Sequence, residues 1–225
     1  MKKAFTLIEL VFVLVVIGVL AAVIIPSTKT NPLQEAAIQL ASHIRYTQHL
    51  AMSDDTYDKN DDEWYKARWK LVFSSSDFTG GDDVWAYTIF SDKPTYGGDA
   101  TIKEIAKNPL NPYNEDSESG QVMSGGYGNG KLDYTDSEFR GMKKLNIGTT
   151  YGINSVALSG GCSYSRISFD YLGRPITGDN SSMTGPYKAG TQRLVDEDCN
   201  IVIGDAQGSI KLVVRAETGY VDIEF

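Results

Sequence analysis

Residues 1–26 read MKKAFTLIELVFVLVVIGVLAAVIIP, and this stretch decides how the rest of the chain is organised. Lys2 and Lys3 precede a run over 5–26 that is apolar except for one threonine and Glu9. In an α-helix, about 21 such residues rise roughly 32 Å, enough to cross the hydrocarbon core of a bilayer. Transfer of the many Leu, Ile, Val and Phe side chains from water into the membrane is favourable. The free energy gained outweighs the cost of about 3 kcal/mol for placing one acid there. The sequence therefore predicts a membrane-spanning helix over 5–26, with the two lysines in the cytoplasm and the remainder outside.

Glu9 is the exception inside this apolar run. An acid in a membrane-spanning segment indicates a function when a partner for it can be named. Cleavage after Ala4 would create a new α-amino group on Phe5, one helical turn from Glu9. That amine in one subunit could pair with the Glu9 carboxylate of a neighbouring subunit. The alternative is that Glu9 only extends to the membrane interface, where headgroups and water solvate it.

The stretch from Lys3 to Leu10, KAFTLIEL, closely resembles the class III signal of type IV pilins and type II secretion pseudopilins. The resemblance implies that a prepilin peptidase removes residues 1–4, cutting between Ala4 and Phe5, and methylates the new amino group. It also implies that Glu9 sets the register of assembly by neutralising the amine of a neighbour. The family usually has glycine before the cut, where this chain has alanine. An ordinary secretory signal is the alternative, and it would need a shorter apolar core with a small-residue cleavage site after it.

Beyond the first helix, the sequence predicts an α+β fold. Asn31 and Pro32 form a helix start, and apolar residues then recur at helical spacing, so 27–53 is predicted as an amphipathic continuation of the N-terminal helix. A kink or break is expected near Pro26. The resemblance implies a pilin-like arrangement, with this long helix packed on an antiparallel β-sheet. Strands are predicted at 68–74, 84–91, 151–159, 165–170 and 200–204, with a terminal hairpin over 209–225.

Residues 54–225 are predicted to form an extracytoplasmic, β-rich pseudopilin domain. Within it, 92–145 is a long irregular loop rich in Gly, Pro, Asn and Asp, with a short helix expected near 101–107. Compact domains rarely contain such loops unless the loop is functional or held in place. We therefore expect specific partner contacts in this loop.

Three acids in this loop are candidates for a calcium site: Asp133, Asp136 and Glu138. The surrounding sequence, GNGKLDYTDSE over 128–138, resembles the second half of an EF-type loop. The first and third ligand positions lack carboxylates, so the match is degenerate. The chain has two histidines, His43 and His49, which lie on the second helix. Six residues apart on a helix, they point about 120° away from each other, which indicates surface histidines rather than a metal pair.

The two cysteines, Cys162 and Cys199, are predicted to form one disulfide. Export would place them in an oxidising compartment, where such pairs form and persist. The bond would close a loop of about 38 residues and stabilise the fold by a few kcal/mol. The alternative is two free buried thiols.

The charge of the chain disfavours general binding to nucleic acid. The 225 residues carry a net charge of −8, and loss of Lys2 and Lys3 would lower it to −10. Affinity for phosphate comes largely from Lys and Arg. The remaining basic residues have two interpretations. They form a local basic patch in the C-terminal half, or they are scattered cations balanced by nearby acids. These residues are Arg166, Arg174, Lys188, Arg193, Lys211 and Arg215.

Two phrases near the C-terminus, FDYLGRP over 169–175 and VVRAETGYVDIEF over 213–225, resemble the minor pseudopilin H group (GspH/FimT-like). The resemblance implies a structural subunit of a type II secretion pseudopilus, anchored in the inner membrane by a single pass, with its C-terminal domain in the periplasm, and later built into a filament. The implied partners are other pseudopilins or pilins, the prepilin peptidase and the inner-membrane assembly platform. A minor pilin of a type IV pilus or of a DNA-uptake system is the alternative. The sequence contains no nucleophile–base arrangement and no cofactor loop, so we expect neither an enzyme nor a cofactor, apart from the calcium candidate.

Overall fold

The computed structural model describes residues 6–27, 31–93, 99–162, 165–186 and 193–225. Two compact units make up the chain, Met1–Asn31 and Pro32–Phe225. The predicted cleavage point between Ala4 and Phe5 lies outside the described residues.

The first unit contains one helix, α1 (Leu7–Ser27). All described side chains from 6 to 20 are exposed, and apolar side chains cover every face of the helix. Within the described residues, none of the helices combines enough length and hydropathy to cross a bilayer. The membrane-spanning helix over 5–26 stays a prediction.

The kink expected near Pro26 stays a prediction. α1 continues through Pro26 to Ser27, and the next helix starts at Pro32. The connection at 28–30 lies outside the described residues, so the bend expected between the helices stays a prediction.

The second unit starts with α2 (Pro32–Ser53), which is amphipathic because its apolar residues recur every three or four positions. Proline is well tolerated at the first position of a helix, where its missing N–H costs no hydrogen bond. Several of the buried positions are alanines, which allow the helix backbone to approach the sheets closely. The buried residues of α2 are Leu33, Ala36, Ala37, Leu40, Ala41, Ile44, Thr47 and Ala51.

The prediction of an α+β fold is confirmed, but the strands form two antiparallel sheets rather than one. The first sheet contains β1 (Trp69–Ser76), β2 (Gly81–Ser91), β4 (Arg166–Phe169) and β5 (Pro175–Ile176), in the order β2-β1-β4-β5. The second contains β3 (Ser155–Gly160), β6 (Cys199–Gly204), β7 (Ser209–Val214) and β8 (Val221–Glu224), in the order β3-β6-β7-β8. Every pairing between strands in both sheets is antiparallel.

The main core lies where α2 packs against both sheets. Leu40 and Ile44 of α2 are fully buried, together with Leu71 of β1, Phe169 of β4 and Leu212 of β7. Full burial of each such side chain stabilises the fold by about 1.5–3 kcal/mol. Because these buried residues come from α2 and from both sheets, the helix holds the two sheets in a common core.

The strand predicted over 151–159 is partly wrong. Its first residue, Tyr151, ends a short helix, α3 (Ile147–Tyr151), and β3 starts only at Ser155. Asn146 caps this helix by accepting a hydrogen bond from the Thr149 N–H at 2.9 Å. Asparagine is among the preferred N-cap residues, so the helix start was available as a local signal.

Where the structure describes segment 92–145, at 92–93 and 99–145, it contains short 3-10 turns and isolated bridges instead of named strands. The helix expected near 101–107 is wrong, because this stretch forms a turn followed by bridges to neighbouring chain. The segment has a small core of its own, built on Val72 of β1 and Phe90 of β2. Its own contributions to that core are Ala100, Ile105, Tyr113, Val122 and Leu132.

Candidate functional site

The N-terminal end of α1 carries a capping box formed by Thr6 and Glu9. The Glu9 Oε2 atom accepts hydrogen bonds from the Thr6 N–H at 2.9 Å and from the Thr6 hydroxyl at 2.8 Å. The Glu9 N–H donates back to the Thr6 hydroxyl at 3.3 Å. These reciprocal bonds satisfy backbone donors that the first turn of a helix leaves unpaired. The sequence pattern Thr-x-x-Glu was the signal for this role, and the sequence analysis missed it.

Glu9 is exposed and lies in a shallow, open recess between apolar side chains on one side of α1. Ile8 and Phe12 are one turn apart, as are Glu9 and Val13, so these four side chains share a face. Ile8 is 76% exposed and Phe12 is 68% exposed. A carboxylate can accept about four hydrogen bonds, so the bonds from Thr6 leave capacity for an incoming amine. The recess therefore offers apolar contact and one acid to a neighbouring helix.

The predicted disulfide is present between Cys162 and Cys199, whose Cα atoms are 4.9 Å apart. Cys199 is fully buried at the start of β6, and Cys162 follows the end of β3. Next to it, the Gly161 N–H donates to the Asp198 carbonyl at 3.2 Å. The bond therefore ties together the ends of two paired strands at the edge of the second sheet.

The three calcium candidates do not converge on one point in the structure. Asp133 Oδ1 accepts from the N–H and the hydroxyl of Thr135, at 2.8 and 2.7 Å. Asp136 Oδ1 accepts from the Glu138 N–H at 2.7 Å. Among the described residues, no group of three or more His, Cys, Asp or Glu side chains is arranged to hold a metal ion. These acids stabilise local turns, and the calcium hypothesis gains no support from their geometry.

His43 is not the surface histidine that the sequence analysis expected. It packs edge-on against Tyr87, and its Nδ1 atom lies 2.7 Å from the Tyr87 hydroxyl. Gln39 Nε2 donates to the same hydroxyl at 2.9 Å, and the Tyr151 hydroxyl donates to Gln39 Oε1 at 2.9 Å. Burial lowers the pKa of His43 to about 4. This network of α2, β2 and α3 holds His43 neutral at pH 7, whereas His49 is exposed.

A buried ion pair also escaped the sequence analysis. Lys70 of β1 contacts Asp92, and each residue is less than 5% exposed. The Lys70 ammonium lies 4.6 Å from the centre of the Phe90 ring. Burial lowers the pKa of Lys70 and raises that of Asp92, because removal from water disfavours both charged forms. The pair fixes where segment 92–145 leaves the first sheet.

The basic residues considered as a nucleic-acid patch are mostly engaged by nearby acids. Lys188 lies outside the described residues. Arg193 donates to the Asp179 carbonyl at 2.9 Å and to the Ser182 hydroxyl at 2.7 Å. The ion pairs are Arg166–Asp179 at 3.5 Å, Arg174–Asp170 at 2.7 Å, Lys211–Glu224 at 2.6 Å and Arg215–Asp198 at 2.6 Å. Local carboxylates thus offset the positive charge that a phosphate backbone would need.

Comparison with known proteins finds a family match at the N-terminus. Residues 1–25 match the family model described as the prokaryotic N-terminal methylation motif. No curated protein and no solved structure matches the chain. The match covers the leader, the predicted cleavage point and the capping box with Glu9. The motif supports a type IV pilin-like family and indicates a precursor that a prepilin peptidase processes.

Proposed function

We propose that this protein is a minor pseudopilin, a structural subunit of a type II secretion pseudopilus that assembles through its N-terminal helix. The observation that carries this proposal is a helix with apolar side chains on every face, one acid in its first turn and a methylation motif at its start. A helix that is apolar all round needs lipid or other apolar helices around it. A filament of stacked subunits supplies such helices.

Before assembly, residues 5–26 would hold the precursor in the inner membrane as a single pass. The apolar run and the lysines ahead of it support this orientation. The Cys162–Cys199 disulfide fits a periplasmic location for the domain, because such bonds persist in oxidising compartments. The proposed partners are the prepilin peptidase, the inner-membrane assembly platform and other pilin-like subunits.

During assembly, the methylated amine of Phe5 in one subunit would enter the recess beside Glu9 of another. An unpaired carboxylate is costly inside an apolar filament. The Glu9 carboxylate of one subunit must therefore pair with the Phe5 amine of another. The charge pair fixes the axial position of one helix against the next. This is a structural role, and it requires no catalytic residues in the domain.

The second candidate is a minor pilin of a type IV pilus or of a DNA-uptake system. The methylation motif is compatible with each of these machines. The local ion pairs of Arg166, Arg174, Lys211 and Arg215 weigh against direct DNA contact at those side chains. The phrases over 169–175 and 213–225 resemble the minor pseudopilin H group, and this resemblance favours the pseudopilus.

Intact-mass analysis of the protein from its native membrane tests the processing step. We expect the chain to lack residues 1–4 and to carry one methyl group on the amine of Phe5, whereas a peptidase-deficient strain should retain the leader. Recovery of the uncut chain from a strain with active peptidase would contradict the proposal. Deletion of the gene then distinguishes between the candidate functions. Loss of a pseudopilin stops secretion, whereas loss of a pilin stops pilus formation or DNA uptake.

A further inference from the structure

A cleft of about 330 Å³ lies at the C-terminal end of α2, where the helix gives way to an acidic loop. Its walls include two exposed tyrosines, a tryptophan and a methionine, and its rim carries two carboxylates. These residues are Met52, Asp54, Asp55, Tyr57, Trp64 and Tyr171. All of them belong to the second unit, Pro32–Phe225.

The aromatic walls are unusually open to solvent. Tyr57 is 63% exposed and Tyr171 is 49% exposed. The rings of Tyr57 and Trp64 are held edge-to-face, with their centres 5.3 Å apart. Exposed aromatic side chains are enriched at interfaces, because each offers a large apolar surface together with a polar group. The faces of such rings carry negative electrostatic potential and attract cations.

The rim carboxylates are held in position by the chain around them. Asp54 Oδ2 accepts a hydrogen bond from the Trp69 indole N–H at 2.8 Å. Asp55 Oδ1 accepts from the Tyr57 N–H at 3.2 Å. Each carboxylate retains capacity for further donors. The loop over 54–63 contains six acids and one lysine, so the potential at the rim is strongly negative.

Arg68 constrains the kind of cation that fits. It also lines the cleft, is only 6% exposed and has partners within the fold. A compact cation that entered the cleft fully would approach this like charge. A guanidinium on a long side chain can contact the exposed rings and a carboxylate without entering fully.

We propose that this cleft binds an arginine side chain presented by an exposed segment of a partner protein. The planar guanidinium stacks on aromatic faces and donates two parallel hydrogen bonds to a carboxylate, whereas an ammonium contacts ring faces only as a point charge and cannot donate that parallel pair. The site lies outside α1 and its recess, so the inference holds whichever filament the chain joins. It gives the domain a specific contact in addition to the packing of its N-terminal helix.

Binding of a short capped peptide with one central arginine tests the inference. The full chain in a nonionic detergent is titrated against this fluorescent peptide, a citrulline twin and a lysine twin, with anisotropy as the readout. Citrulline keeps the shape of arginine without its charge. We expect the arginine peptide to bind about five- to tenfold more tightly than either twin, and to weaken as salt is added.

Matched variants locate the binding. Asp55→Asn and Tyr171→Leu should each reduce arginine binding to the level of the citrulline twin. Asp83→Asn makes the same charge change at an exposed residue outside the cleft and should leave binding unchanged. Tryptophan-detected unfolding verifies that each variant is folded. Equal binding of the citrulline or lysine twin, or an equal loss with Asp83→Asn, would overturn the assignment.

Discussion

Glu9 illustrates how one residue can take part in two interactions at different stages. In the structure it accepts hydrogen bonds from Thr6 and caps its own helix. In the proposed filament it neutralises the amine of Phe5 from another subunit. A cap requires only an oxygen acceptor, and glutamine serves as well as glutamate in a capping box. A charge pair requires the negative charge, so substitutions can separate the two roles.

Glu9→Gln should fold and insert like the wild type but enter filaments at least about tenfold less, because the neighbour's amine is left without a counter-charge. Thr6→Val is the matched control. It weakens the cap at a cost of about 1 kcal/mol and should retain most of its incorporation. The measurement is the ratio of subunit in sheared or cross-linked filaments to subunit in the membrane. Wild-type incorporation of Glu9→Gln would show that Glu9 acts only as a cap.

His43 makes the stability of the domain depend on pH. Its pKa is about 4 in the folded state, below the ordinary value of 6.5. Between these values the unfolded chain binds a proton that the folded chain does not, so stability falls as pH decreases from 6.5 towards 4. Well above pH 6.5 the histidine is neutral in both states and contributes no pH dependence.

We therefore expect the wild type to lose about 2 kcal/mol more stability than His43→Asn between pH 7 and pH 5. His49→Asn, an exposed histidine on the same helix, is the control and should follow the wild type. Urea unfolding of the full chain in a nonionic detergent gives the free energies. Tryptophan fluorescence reports on the second unit, because the chain's three tryptophans, Trp64, Trp69 and Trp85, all lie there. Parallel pH curves for the wild type and His43→Asn would contradict a buried, neutral histidine.

At the scale of elements, the described residues of segment 92–145, which are 92–93 and 99–145, are held by close backbone contacts rather than by α-helices or named strands. Its Gly125–Gly126 pair runs directly along other parts of the chain. Gly126 has a φ of +125°, and a Cβ atom there would collide with the Phe78 carbonyl oxygen. Two residues further on, Gly128 has no neighbour within 4 Å of the position a Cβ would take.

Gly126→Ala should therefore destabilise the domain by roughly 1–3 kcal/mol, from backbone strain and the displaced contact. Gly128→Ala should be neutral, or stabilise by a few tenths of a kcal/mol through the unfolded chain. Urea unfolding of the two variants side by side gives the comparison. Equal stability of the two would mean that the segment can shift away from Phe78 without cost.

At the scale of the whole molecule, the chain separates into an apolar N-terminal helix and an acidic domain with its own core. α2 is the element that joins the domain together, since its buried stripe contacts both sheets. The disulfide secures the second sheet at its β3–β6 edge. The helix can therefore serve assembly while the domain is stabilised by independent contacts.

Much of the local structure was predictable from the sequence. Aromatic and β-branched residues located the strand at 84–91, and apolar runs on either side of a glycine-containing turn located the terminal hairpin over 209–225. Helical spacing of apolar residues located α2. The methylation motif was visible because it is a contiguous run of residues whose chemistry does not depend on the fold.

The N-terminal motif and the helix–sheet composition could be inferred from the sequence alone, because they depend on local pattern, and the disulfide was predicted because export places both cysteines in an oxidising compartment. The division of the strands into two sheets, the Lys70–Asp92 pair and the packing of the half-buried His43 against Tyr87 arise only in the folded chain. These features join residues 22 and 44 positions apart. Contacts between residues so far apart in the sequence depend on how the whole core packs. They produce no periodic pattern in the sequence.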